Sequence, residues 1–206
     1  MGLIKKFICQ TRKPEGFLGR MMVKTMNDGH AKLASWGMSH LPSTAPKEIL
    51  EIGCGGGRNA NELMRKYPLS NVTAVDYSEV SVAKAKDYNK ELINQGRCKV
   101  QQGDVSALDF NEEYDLATAF ETIYFWPGLE KCFTQVNKAL KPGGTFMIVN
   151  EADGRDKASL QYEKIIEGMK CHTIETIEEA LVKSGFSQVT SDHHESKPWI
   201  TVIAKK

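Results

Sequence analysis

Long apolar runs are missing from this chain of 206 residues. None approaches the roughly 20 residues that a membrane-crossing helix requires, so no membrane partner is expected. Excess charge is missing too. The 27 Lys and Arg against 26 Asp and Glu leave a net charge of +1. That balance argues against nucleic acid or any other partner held by bulk electrostatics, and leaves only local basic patches open. Met1 to Cys9 carries two lysines but no sustained apolar core, so no secretory leader is expected. Lys6 stands where a myristoylation signal after Gly2 wants Ser or Thr. The five cysteines are odd in number, widely spread and free of any CxxC or other metal spacing. Free thiols in a reducing cytoplasm are the expectation. The histidines are scattered, and no bound metal is expected. Internal repeats and low-complexity segments are absent.

What is present is a 41% hydrophobic content, enough for one α/β domain of ordinary size with a modest addition. Residues 1–45 read as an N-terminal helical arm or lid. Residues 1–16 are basic and look loosely held, and Leu18, Met21, Met22, Met26, Leu33 and Trp36 then recur at helical spacings. Asn27-Asp28-Gly29-His30 interrupts that pattern, and Pro42 to Pro46 ends it.

From residue 46 to 206 strands and helices alternate. Glu48 to Ile52 is a short apolar strand that runs into Gly53-Cys54-Gly55-Gly56-Gly57 and then a helical pattern through Lys66. Further strands are predicted at 71–76, 98–102, 114–120, 145–149, 186–191 and 199–204, with helices at 78–96, 129–140, 157–170 and 173–184. Lys141-Pro142-Gly143-Gly144 is read as the stop of the helix before the fifth strand. The alternation predicts a Rossmann-like, doubly wound, seven-stranded and mostly parallel sheet, with right-handed crossovers and helices on both faces.

In such sheets the ligand lies beyond the carboxyl ends of the strands. Those ends carry the glycine turn, Asp76-Tyr77, Gly103-Asp104 and Phe120-Glu121. A carboxylate at Asp76 suits the two hydroxyls of a ribose, Asp104 suits an exocyclic amine, and Tyr77 suits a purine face; together they describe an adenosine. A dinucleotide site prefers G-x-G-x-x-G, but Arg58 occupies the third glycine position. Glu51 sets a carboxylate where a pyrophosphate is repelled and a ligand amino group is favoured. The Walker phosphate loop is absent.

Glu51-Ile52-Gly53-Cys54-Gly55-Gly56-Gly57 resembles the first motif of class I S-adenosylmethionine-dependent methyltransferases of the small-molecule type. Val75-Asp76-Tyr77-Ser78, Gln102-Gly103-Asp104-Val105 and Leu140-Lys141-Pro142-Gly143-Gly144 are similar to three later motifs of that family, in order, from about residue 47 to 150. The resemblance implies S-adenosylmethionine as cofactor and S-adenosylhomocysteine as product. It implies Gly53 and Gly55 along the methionine part with Glu51 beneath the turn, Asp76 on the ribose and Tyr77 on adenine. Asp104 and the Val105 N–H would read the adenine edge, Phe120 would approach the sulfonium, and Asn59 would add a polar contact.

Methyl transfer from a sulfonium chiefly needs alignment of the acceptor, and orientation of this kind can supply on the order of 7–11 kcal/mol. The acceptor side is expected at Glu121-Thr122-Ile123-Tyr124-Phe125-Trp126-Pro127, where the [DNS]-P-P-[YFW] segment of amide and DNA methyltransferases is lacking. The aromatic residues suit a small organic acceptor, a cation over a ring included. Glu121, Tyr124 and His30 are the candidate catalytic groups, in a monomer or homodimer. The competing readings are a non-catalytic S-adenosylmethionine-binding or regulatory protein and, less well supported, a nicotinamide dehydrogenase.

Overall fold

The computed structural model describes residues 30–206. The expected loose segment 1–16 and the helical pattern from Phe17 to Gly29 lie outside the described residues. Helix α1 (Ala31–Ser39) comes first and lays Leu33, Ala34 and Met38 into the core. Gly37 lets it approach the sheet, because a Cβ there would sit 2.5 Å from a methyl of Val149.

Seven strands then make one sheet: β1 (Glu48–Ile52), β2 (Asn71–Asp76), β3 (Cys98–Gln102), β4 (Tyr114–Phe120), β5 (Leu140–Asn150), β6 (Ser187–His193) and β7 (Ile200–Lys205). Their order is β3-β2-β1-β4-β5-β7-β6. Strands β1 to β5 pair in parallel. Strand β7 pairs antiparallel with β5, and β6 with β7. The chain order reverses between β1 and β4, so the crevice at their carboxyl ends is the topological switch point.

Alternation along each strand builds two apolar layers. Leu50, Ile52, Phe146 and Ile148 point to one face, which α5 (Leu129–Ala139) and α7 (Ile174–Lys183) cover with Phe133, Ile177 and Leu181. Ile49, Met147 and Val149 point to the other, covered by α1, α2 (Arg58–Lys66) and α3 (Glu79–Tyr88) with Leu33, Leu63 and Val82. Each fully buried aliphatic or aromatic side chain here contributes about 1.5–3 kcal/mol. Burial on both faces explains the near-continuous apolar run of β5.

Three boundaries differ from the sequence pattern for identifiable reasons. The predicted 78–96 helix breaks at Asn89 into α3 and α4 (Lys90–Asn94), because the Asn89 amide turns inward and donates to the carbonyls of Gly57 and Ala85. Strand β5 starts at Leu140, ahead of the glycines. A register shift between Tyr114 and Leu116 absorbs Pro142 and Gly143 as an irregularity, and Gly143 takes φ +77°. The predicted 157–170 helix ends early, as α6 (Lys157–Ile165), and Gly168 takes φ +76° in the following turn.

Candidate active site

The glycine turn is built from positive φ angles: +75° at Gly53, +51° at Gly55 and +82° at Gly57. L side chains avoid this region, so glycine is the residue that lets β1 turn so sharply into α2. Space adds a second reason at two of the three. A Cβ on Gly53 would fall 2.2 Å from Thr122 Oγ1, and one on Gly57 would fall 2.5 Å from Asn89 Nδ2. A Cβ on Gly55 would meet nothing within 4 Å and would project into open space. The turn is pinned to β2, whose Val75 carbonyl accepts from the N–H groups of Gly53 (2.8 Å) and Cys54 (3.0 Å).

Asp76, at the end of β2, locks the same turn. Its Oδ2 accepts from the Gly55 N–H and its Oδ1 from the Ser78 N–H, both at 2.8 Å. Burial raises the carboxyl above its ordinary range, and these backbone donors oppose that shift. The Ser81 side chain also donates to this carboxyl, which still keeps acceptor capacity for a ligand hydroxyl.

Beneath the turn, Glu51 is fully buried and accepts a hydrogen bond from the Thr118 hydroxyl. Its Oε1 is buried without a partner among the described residues. Burial pushes this carboxyl up to about 8, against the opposing effects of Thr118 and the nearby Asn59 amide.

One cavity of about 310 Å³ joins these groups to the rest of the crevice. Gly53, Gly55, Asn59, Asp76 and Tyr77 line one end, the last 56% exposed. Asp104 and Val105 line the side, where Asp104 Oδ1 caps a short 3₁₀ turn by accepting from the Ser106 N–H at 2.8 Å. Phe120 lies at the floor, buried at the end of β4. Arg58 lies on the rim and pairs with Glu62 at 3.7 Å.

The cavity is also lined by Glu121, Thr122, Phe125, Trp126, Pro127 and His30, with Thr122 directly against Gly53. Glu121 takes φ +59°, a left-handed conformation that costs a non-glycine residue about 1–3 kcal/mol and gathers at functional sites. Its backbone N–H donates to the Val149 carbonyl at 2.9 Å. Its Oε1 accepts from the Tyr124 hydroxyl at 3.0 Å and from the Glu151 N–H. Burial first, and the neighbouring Glu151 carboxylate as well, push the Glu121 carboxyl up to about 8. His30 Nε2 stands 3.9 Å from Glu121 Oε2 and 3.6 Å from Glu151 Oε2. Burial lowers the His30 pKa, more than Glu151 raises it.

All three candidate catalytic residues therefore meet, but not in equal roles. Tyr124 does not line the cavity. It is buried behind Glu121, with its hydroxyl donating to that carboxylate and accepting from the Ala152 N–H at 2.9 Å. Of the nine residues proposed for the cofactor, eight line the cavity, and Glu51 lies under it. Sequence reasoning missed Glu151. It directly follows β5, so the strand-end rule that found Glu121 after β4 was also able to find it. His30, Glu121 and Glu151 present one ligand atom each within 4.8 Å of one another, which is the one grouping of metal-ligand type among the described residues.

A family model described as a methyltransferase domain matches residues 49–144. Among curated proteins, the Saccharomyces cerevisiae sterol 24-C-methyltransferase ERG6 is 30% identical over 165 residues, covering 73% of this chain and 43% of that protein. The malonyl-[acyl-carrier protein] O-methyltransferase of Priestia megaterium is 31% identical over 106 residues, covering 52% of this chain and 37% of that protein. The chain thus spans less than half the length of these curated relatives. Among solved structures, human N-acetylserotonin methyltransferase in complex with its methyl donor superposes with a TM-score of 0.75. It is 17% identical, and the match covers 91% of this chain and 56% of that one. At that identity the likeness concerns the fold.

Proposed function

The chain belongs to the class I S-adenosylmethionine-dependent methyltransferases, and we propose that it transfers the methyl group of S-adenosylmethionine to a small-molecule acceptor, with S-adenosylhomocysteine as product. One observation carries the reading. A single cavity connects the glycine turn and Asp76 with a mouth of aromatic side chains around Glu121, so a donor and a small acceptor share one enclosed space.

The residues fit the donor. The empty quarter above Gly55 is the cradle a side chain would fill, and Asp76 keeps lone pairs for a ribose. The buried Glu51 carboxyl supplies an acceptor oxygen, Oε1, under the turn, where the donor carries its amino group. Asp104, Val105 and Tyr77 hold the adenine, Asn59 adds a polar contact, and Phe120 keeps water from the reacting carbon. When bound, the donor supplies an activated methyl group on a positively charged sulfur.

The chain's own residues do the rest. Phe125 and Trp126 enclose the acceptor, Glu121 touches it, and Tyr124 positions Glu121. His30, Leu33 and Ala34, at the start of α1, close one wall of the cavity. The acceptor is neither nucleic acid nor lipid bilayer, and no helix among the described residues is long and apolar enough to cross a membrane. The four described cysteines are free and buried, in keeping with a cytoplasmic site of action.

Calorimetric titration with S-adenosylmethionine, S-adenosylhomocysteine and NAD tests the donor, and S-adenosylhomocysteine release across an acceptor panel tests the transfer. Binding of NAD without either sulfur compound overturns the proposal. Donor binding with no turnover of any acceptor points to the non-catalytic alternative.

A further inference from the structure

Glu121 lines the cavity and the exposed Glu151 side chain stands beside it, with His30 between them. Glu121 and Glu151 have only the His30 ring as a basic partner among the described residues, at 3.9 and 3.6 Å. Burial lowers the pKa of that ring, more than the Glu151 carboxylate raises it. The buried Glu121 carboxyl, beside aromatic side chains, is costly to ionise unless a positive group is paired with it.

The hydrogen bonding of Glu121 adds a direction. Both donors, the Tyr124 hydroxyl and the Glu151 N–H, converge on Oε1. The other oxygen, Oε2, lies 3.9 Å from His30 Nε2, beyond hydrogen-bond reach, on the side where Glu151 Oε2 also stands. The strained backbone at Glu121, φ +59°, keeps this side chain at the cavity rather than in the sheet.

From this geometry we infer that the acceptor is an amine, bound as its ammonium ion between Glu121 and Glu151, with Glu121 as the base that frees its lone pair. This inference rests on the methyl-transfer reading above and names the acceptor class within it.

The step balances without a further reactant. The ammonium R–NH₃⁺ gives one proton to Glu121 Oε2, leaving a neutral amine and a neutral carboxylic acid. The nitrogen lone pair forms the N–C bond as the C–S bond breaks, and the bonding electrons of C–S stay on sulfur as a neutral thioether. The product is R–NH₂⁺–CH₃, which Glu151 still holds by charge. Glu121 then returns its proton to solvent.

The environment of Glu121 suits the base role. Its carboxyl, pushed up to about 8 by burial and by Glu151, matches a proton acceptor that works near neutral pH. The groups that face it are Glu151 and Tyr124 beside His30, and Tyr124 itself is buried with its hydroxyl held well above its ordinary range. Phe125 and Trp126 supply rings for the ammonium's substituents and for cation–π contact. Tyr124 is a positioning residue: it fixes Oε1 and never meets the acceptor.

The test uses the full chain and matched probes. S-adenosylhomocysteine release is measured with alkyl- and aralkylamines and with alcohols, thiols and carboxylates of the same skeletons, with and without EDTA. Turnover confined to amines and indifferent to EDTA is expected. Glu121→Gln should lower kcat/KM about 10²–10⁴-fold and flatten its pH profile. Tyr124→Phe should shift that profile and change kcat more than KM.

A readout independent of turnover is the calorimetric affinity of phenethyltrimethylammonium and of its uncharged carbon isostere, each with S-adenosylhomocysteine present. The cation should bind at least tenfold tighter, and Glu151→Gln, at an exposed side chain, should reduce that preference. Turnover only with non-amines, equal affinity for the two isosteres, or silence of the whole amine set overturns the inference. Activity that requires Mg²⁺ or Mn²⁺ and vanishes in EDTA also overturns it, and makes the same three residues a metal site. Titration of S-adenosylhomocysteine on the same protein separates the two levels. If it binds while these tests fail, the donor reading stands without the amine.

Discussion

Gly55→Ala isolates what the glycine turn does for the ligand from what it does for the fold. Gly55 sits at φ +51°, so an alanine there pays about 1–2 kcal/mol of left-handed strain. Its new methyl meets no atom of the folded chain within 4 Å, so no packing clash adds to that cost. For a chain of this size the melting temperature should fall by about 2–8 °C. The methyl instead occupies the cavity, beside the N–H that Asp76 holds at 2.8 Å. Crowding of a filled site costs about 1–3 kcal/mol, so affinity for S-adenosylhomocysteine should fall about 5–150-fold. Gly53→Ala is the contrast. Its Cβ would lie 2.2 Å from Thr122 Oγ1 and 2.6 Å from Thr122 Cβ, so the turn or the segment after β4 must move and stability should suffer more. Differential scanning fluorimetry and calorimetry read the two effects separately. A folded Gly55→Ala protein that binds S-adenosylhomocysteine within twofold of the unaltered chain would falsify the assignment of that space to the donor.

Two other perturbations address the buried carboxyl groups. Asp76→Asn keeps the size but puts an amide donor among the N–H groups of Gly55 and Ser78, so one buried contact is lost at about 1–3 kcal/mol. A loss of the same size at the ribose should lower donor affinity about 5–150-fold by titration, and unchanged affinity removes Asp76 from the ribose. Glu51 has a folded pKa of about 8 against an ordinary 4.5, so its contribution to stability is full below about pH 4.5 and is lost as pH rises through about 8. Glu51→Gln cannot ionise. The ligand-free variant should therefore gain on the unaltered protein by a few kcal/mol between pH 6 and 9, read from urea midpoints. Parallel curves would show that Glu51 ionises freely in the fold.

The motif residues were legible because their chemistry is local. Glycine at Gly53, Gly55 and Gly57 is demanded by the backbone itself, and a carboxylate at the end of β2 or β3 faces the crevice whatever packs elsewhere. The acceptor side was legible only in part. Glu121 and His30 were both named, but nothing in their spacing said that they would lie 3.9 Å apart. Tyr124 read as a group that meets the acceptor, and the fold turns it behind Glu121. The curated relatives named above carry C- and O-methyltransferase in their names, so family membership leaves the acceptor atom open.

The glycine turn, the succession of strands and helices along the chain and the cofactor class follow from the sequence alone, because each depends on residues close together along the chain or on a period of two or 3.6. Four motifs in order sufficed for the donor. The pairing of Glu121 with Glu151 was decided by the tertiary structure, which sets the ends of β4 and β5 side by side. So was the approach of His30, which arrives on α1 because Gly37 lets that helix close on Val149. Those contacts join residues up to 121 positions apart in sequence, from His30 to Glu151, and only packing brings them within reach of one ligand.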